Sequence, residues 1–330
     1  MAKSNQADGF QSMQPCDWYE EKVKFPCLLQ PKIDGVASYN RHGKLLGRSL
    51  KPHENKKVTQ EWSHPALHGF CGEMISGFNP TSADLCRITS GDLRRHNEQN
   101  ANVYWFLFDY CTDTTKDLPY YDRMEKLTDV FREALLANTD KQLVQLLNRC
   151  VVIPTYTVEN MQELVELEAK FLNEGYEGVI LRDPDAPFKY GRCGKTFMGS
   201  WRVKRFIDAE ILVESIEEGR SNQNEATVNE RGRTERSTHA ENMLPNGQIG
   251  SMSGPLLADV VDPQTKQVLI PKGTVVKVSP GEMPVDQRKH LFLHQDEILG
   301  KIAKFKLFPK GMKDLPRFPV WTSFRNENDL

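Results

Sequence analysis

Gln30-Pro31-Lys32-Ile33-Asp34-Gly35-Val36 is a short apolar run interrupted by one lysine, one aspartate and one glycine. A lysine suits a buried strand only where its amine has a task or a partner. An amine held in a partly dry pocket among other cations can shed its proton and become a nucleophile. By themselves these residues carry little weight, because a plain strand ending in an Asp-Gly turn reads the same way. The residues downstream give them meaning.

Several polar side chains follow at unusual places. Gly47-Arg48-Ser49 ends a strand, and Cys71-Gly72-Glu73-Met74 sets a carboxylate inside an apolar one. Phe108-Asp109 closes the aromatic run that starts at Val103. Glu174-Gly175-Tyr176-Glu177-Gly178-Val179-Ile180-Leu181 places a second carboxylate at a strand start. In Trp201-Arg202-Val203-Lys204 the two cations alternate, so both face one side of a strand. A pocket collecting a lysine, two glutamates, further cations and an aromatic ring suits an anionic nucleotide.

Around this constellation the pattern up to Phe206 mixes strands and helices. Strands are expected at 27–29, 35–39, 44–48, 70–75, 103–110, 151–153 and 179–181. Helices are expected over Tyr121 to Leu136, Lys141 to Arg149 and Asn160 to Glu174. The last should turn Met161, Leu164, Val165, Leu167 and Phe171 inward. Beyond Phe206 the pattern becomes short strands with Gly/Pro turns, which suggests a small β-barrel. Residues 219–254 are polar and charged, and a stretch this long is either functional or a linker.

The 330 residues suggest two domains, 1–206 and 207–330. Composition is that of a soluble globular protein, with 38% hydrophobic and 27% charged residues and no run of membrane-spanning length. Seven scattered cysteines with no Cys-x-x-Cys pair argue against a cysteine zinc site and for a reducing, cytoplasmic setting. The formal net charge of −2 argues against bulk coating of nucleic acid. Three basic runs, 41–57, 189–206 and 301–317, suggest instead a local polyanion groove.

With these motifs in order, the sequence resembles the covalent nucleotidyltransferases, specifically the short viral or bacteriophage type of ATP-dependent DNA ligase. The resemblance runs from about Leu28 to Asp329. It includes Arg236-Ser237-Thr238-His239, Ile298-Leu299-Gly300-Lys301 and Pro316-Arg317-Phe318-Pro319-Val320-Trp321 with Phe324-Arg325. It implies an α+β nucleotidyltransferase domain of antiparallel sheets with helices, ATP-grasp-like, followed by an all-β oligonucleotide-binding barrel. It implies that Lys32 attacks the α-phosphorus of ATP, that AMP passes to the 5′-phosphate of a nick, and that the 3′-hydroxyl then displaces AMP. The implied requirements are ATP, magnesium or manganese, and nicked duplex DNA, with the protein acting as a monomer away from membranes.

The same resemblance distributes roles. Glu73 would bond the ribose, and Glu177 would hold the metal. Phe108 would stack on adenine, although core packing is an equally good reading of that residue. Gln30 would touch the adenine edge beside Pro31. Arg202 and Lys204 would grip the α-phosphate, and Arg48 the phosphate of AMP or of the nick. Arg317 and Arg325 would orient the leaving pyrophosphate. The 219–254 stretch, with Arg220, Arg231, Arg233, Arg236 and His239, would form a long loop or β-hairpin that clamps DNA, or else serve as a linker.

Two positions depart from the family pattern: Ala37 stands where an arginine is usual, and Arg202 where a lysine is. Arg41 could share the side of the strand that Ala37 leaves without charge. RNA ligation, a capping-type transfer from GTP, or a non-catalytic DNA-binding relative remain as alternatives.

Overall fold

The segment from Gln30 to Val36 is where one sheet ends and a second begins. The structure is a computed structural model describing residues 9–94, 101–137, 139–194, 199–203, 206–228, 234–237, 239–262, 266–308 and 315–325. The chain divides into two compact units, Met1–Lys204 and Arg205–Leu330.

In the first unit, Cys27–Lys32 belongs to a five-stranded sheet ordered Cys16–Asp17, Ser200–Val203, Gly178–Arg182, Cys27–Lys32, Tyr156–Val158. After Ile33-Asp34-Gly35 the chain enters Val36–Arg41. That strand sits in another five-stranded sheet, ordered Lys44–Gly47, Val36–Arg41, Phe70–Ser76, Val103–Tyr110, Cys150–Val152. The crossing is tight. A Cβ on Gly35 would lie 2.5 Å from the Met74 carbonyl oxygen and 3.0 Å from Ile75 Cγ2. Only glycine lets the two backbones approach this closely.

Side chains alternate across each strand, and register extends that alternation across the sheet. In the first sheet Leu29, Leu181 and Trp201 share one face, together with Val179 and Val203. They join Leu164 and Phe171 of the helix Met161–Asn173 in one buried cluster. Gln30, Ile180 and Arg202 lie opposite, with Lys32 two residues beyond Gln30 on the same side. In the second sheet Met74 and Trp105 face a core with residues from helices Lys56–Trp62, Leu85–Arg94, Tyr120–Ala137 and Lys141–Leu147. The other face carries Ala37, Glu73 and Phe106 in one row.

The helix Met161–Asn173 corrects one expectation. Val165 is 45% exposed, whereas Glu168 is buried. Leu164, Glu168 and Phe171 form the inward stripe at spacings of four and three, and Val165 sits about a quarter of a turn from its centre.

The second unit has its own core, including Ile211, Met252, Val276, Val278 and Phe305. Ile207–Leu212, Ile302–Phe308 and Arg317–Phe324 form one three-stranded sheet. Ser215–Asn222, Met243–Pro255 and Val275–Val278 form another. Two ribbons complete it: Val260–Val261 with Val268–Ile270, and Ala226–Val228 with Thr234–Arg236. One difference from the sequence reading stands out. The unit contains a helix, Val285–Leu293, so it is not purely β. The described part of 219–254 consists mostly of paired strands, with Ser215–Asn222 antiparallel to Met243–Pro255 and the Ala226–Val228 ribbon lying between them in sequence.

Candidate active site

Lys32 ends its strand opposite Gly178. The Glu177 N–H donates to the Lys32 carbonyl at 3.0 Å, which clasps the two segments at this point. Gly178 has φ +149°, and a Cβ there would lie 2.5 Å from the Val203 carbonyl oxygen. A glycine is therefore needed where the chain turns Glu177 toward the lysine. Lys32 Nζ donates to Glu177 Oε2. The Glu177 side chain is 1% exposed and that of Lys32 is 19% exposed, so the pair opens to solvent on the lysine side.

Glu73 approaches from the second sheet. Burial pushes its carboxyl up to about 8, Glu177 and Asp34 push the same way, and Lys32 and Arg48 oppose them. Asp34, the aspartate of the opening motif, is itself buried. Two carboxylates thus bear on Glu73 beside one lysine, and Glu73 is held largely neutral near pH 7. Such an oxygen-rich, over-acidic set fits a hard divalent cation.

Cations flank this centre. Arg202 is half-buried and forks onto Asp17, Nε to Oδ1 at 2.6 Å and Nη2 to Oδ2 at 3.3 Å. The Glu177 charge also acts on it. Exposed Arg48 donates through Nη2 to Gln14 Oε1 at 3.1 Å. Both arginines are thus steadied by residues of the N-terminal stretch 14–17, partners that no local pattern signals.

Phe108 is half-buried, with the Arg182 guanidinium carbon 5.5 Å from its ring centroid and Tyr39 edge-on at 6.4 Å. Behind it lies a buried polar network missed by sequence reasoning. Asp109 is fully buried and receives Arg123 Nε at 2.8 Å, Arg123 Nη2 at 3.1 Å and Arg182 Nη1 at 3.1 Å. Its signal was available: a carboxylate inside an aromatic strand requires buried cations elsewhere in the chain.

Gln30 belongs to this network. Its Nε2 donates to Tyr120 Oη at 2.7 Å and Thr155 Oγ1 at 3.0 Å, and its Oε1 accepts from Arg182 Nε at 2.7 Å. With 1% exposure and both amide hydrogens used, it buttresses the pocket rather than reading an adenine edge. Pro31 is buried on the face of its strand opposite to Lys32. Arg41 is likewise committed: it donates to the Cys111 carbonyl, lies 3.6 Å from Asp113 Oδ1 and stacks over Phe10. It does not supply the charge that Ala37 lacks.

The remaining candidates are dispersed. Lys204, Arg231 and Arg233 lie outside the described residues, as does the side chain of Arg317. The Arg317 backbone pairs with Phe308, and Arg325 Nη1 lies 3.5 Å from Glu210 Oε2, both within the second unit. Arg220, Arg236 and His239 are exposed there, and Arg236 donates to the Asn224 carbonyl.

Residues 39–198 match the family model described as ATP dependent DNA ligase domain. The match contains Glu73, Phe108 and Glu177, starts after Lys32 and ends before Arg202. The chain is 23% identical over 121 residues to the DNA ligase of African swine fever virus, strain Badajoz 1971 Vero-adapted. That alignment covers 37% of this chain and spans only 26% of the viral protein. Among solved structures, Pmar-Lig_Pre is 19% identical with a TM-score of 0.65, covering 96% of this chain and 68% of its own. A Lig E DNA ligase is 16% identical with a TM-score of 0.59, covering 96% and 99%. These last two show a shared fold.

Proposed function

We propose that the chain is an ATP-dependent DNA ligase that seals 5′-phosphate/3′-hydroxyl nicks in duplex DNA through a lysyl-AMP intermediate. The observation that carries this reading is Lys32, poised at a strand end against Glu177, with Glu73 acting on it from the facing sheet. Both glutamates fall within the stretch 39–198 that matches the ligase family model, which supports this reading.

In this reading Lys32 Nζ, after giving up a proton, attacks the α-phosphorus and pyrophosphate leaves. Glu177 is in contact with that amine and aims it. Arg202, with Lys204, steadies charge on the α-phosphate, and Phe108 offers a flat face to adenine. Glu73, held largely neutral, can both donate to and accept from a ribose hydroxyl. Magnesium would be held by Glu177 with help from neighbouring carboxylates, and would supply neutralising charge to the triphosphate. AMP then passes to the 5′-phosphate of the nick, near Arg48, and the 3′-hydroxyl displaces it.

The first unit would be the adenylation domain and the second an oligonucleotide-binding fold, with Arg317 and Arg325 orienting pyrophosphate. The segment 215–255, with exposed Arg220, Arg236 and His239 and with Arg231 and Arg233, would clamp the duplex. All seven cysteines are free, which suits an intracellular site of action. No helix among the described residues is long and apolar enough to cross a membrane.

The test is sealing of a nicked duplex with ATP, GTP or NAD as donor. Joined strands with ATP alone are expected. Joining only of RNA strands, or only with GTP, would replace this reading with an RNA-ligase or capping-type transfer.

A further inference from the structure

Far along the chain from the lysine motif, the helix Val285–Leu293 and the turn Gln295–Glu297 gather three metal-ligating side chains that the ligase reading does not use. His290 lies in the last turn of the helix and His294 caps its end four residues on, its N–H donating to the His290 carbonyl. Their rings stack with centroids 4.4 Å apart and planes at 27°. The backbone then folds back on itself: the Glu297 N–H donates to the His294 carbonyl at 3.1 Å. This turn brings the Glu297 carboxylate to His290 Nε2, at 3.1 Å from Oε1 and 3.2 Å from Oε2.

The tautomer of His294 follows from its neighbour. Its Nδ1 lies 2.9 Å from the His290 carbonyl oxygen, which can only accept. Nδ1 therefore carries the hydrogen, and Nε2 is left with its lone pair turned away from the helix. A backbone carbonyl bonded to one imidazole nitrogen is the arrangement that orients the other nitrogen toward a metal. One ligand atom from each of the three residues can be chosen so that all lie within 4.8 Å of one another. A tetrahedral ion with bonds of about 2.0 Å spaces its ligands about 3.3 Å apart, so small side-chain rotations close the set.

From this geometry we infer that His290, His294 and Glu297 form a site for a divalent transition metal of the zinc class, separate from the oxygen-rich centre at Lys32. Two imidazoles and one carboxylate suit zinc, cobalt or nickel, whereas magnesium prefers oxygen donors and retains water. Three protein ligands leave a fourth position facing solvent, because all three residues are exposed. The metal would take the place of the proton shared between His290 and Glu297. It would pin the end of the helix to the turn that leads into the buried Ile298.

The test uses the full chain, stripped with a chelator and titrated with cobalt(II), then with zinc(II). One cobalt per chain is expected, with visible absorption of nitrogen and oxygen ligation, no thiolate charge-transfer band, and displacement by zinc. The double variant His290→Ala, His294→Ala should lose affinity by more than the roughly 10–100-fold that disturbing outer-shell partners alone brings. Glu297→Gln should weaken binding less. Because the three side chains are exposed, these variants should fold, and AMP transfer to Lys32 in magnesium should be unchanged. Equal metal affinity in the wild type and the double variant, or a thiolate band, would overturn the inference.

Discussion

Lys32→Arg separates the two things Lys32 can be. Arginine keeps the positive charge and can still pair with Glu177, but its guanidinium does not deprotonate in proteins. If Lys32 only held the fold together, the variant would remain active. The expected result is a folded protein, with an unchanged melting profile, that forms no adenylate. Glu73 gives a second prediction at this scale. Its folded carboxyl sits at about 8, above the ordinary 4.5. A raised acid favours the fold while protonated, so its contribution is complete below pH 4.5 and is lost as pH rises through about 8. Melting curves across that window should show the wild type losing stability relative to Glu73→Gln, and parallel curves would refute the shift. Lys32 and Glu73 stand out in the sequence as charges set in apolar strands and Glu177 as one at a strand start, and the structure brings the three together. Gln30 was misread because nothing local announces that Tyr120, Thr155 and Arg182 already occupy its amide.

The decisive elements are the two sheets joined at Ile33-Asp34-Gly35. A Cβ at Gly35 meets backbone rather than a yielding side chain, so Gly35→Ala should cost about 1–3 kcal/mol and impair adenylation. Chemical denaturation and AMP labelling read the two effects together. Asp109 ties the strand Val103–Tyr110 to the helix Tyr120–Ala137 through Arg123 and to the strand Gly178–Arg182 through Arg182. Asp109→Ala leaves two buried guanidiniums without their shared anion and should cost about 3–5 kcal/mol. A loss below 1 kcal/mol in urea unfolding would show that the network is dispensable. Elements with a dry face were readable from periodicity, the strand Val103–Tyr110 most of all. The helix Val285–Leu293 was not, because only Leu291 on it is buried and no apolar stripe forms. The ribbon Ala226–Val228 with Thr234–Arg236 was obscure for the same reason, being exposed along its whole length.

At the scale of the molecule, the two units invite separate assays. Deleting 222–244 removes the end of the long strand pair in the second unit and leaves the first untouched. It should weaken binding to nicked DNA while adenylation persists, and unaffected sealing would make this segment a spacer. Substituting Arg220 and Arg236 together by alanine should flatten the salt dependence of DNA binding, by about 1.8 in log–log slope if each neutralises one phosphate. The sequence changes from mixed patterns to short strands at Phe206, close to where the two units meet in the chain, Lys204 and Arg205. The pairing of Cys16–Asp17 with the strand Ser200–Val203, and of Gln14 with Arg192, was not legible, because contacts so distant in sequence leave no periodic trace.

The most direct measurement is peptide mapping by mass spectrometry after incubating the full chain with ATP and magnesium. The account predicts a single AMP adduct, on the peptide containing Lys32 and bonded to its nitrogen, and no adduct in Lys32→Ala. An adduct on another residue, or one that persists in Lys32→Ala, would contradict it.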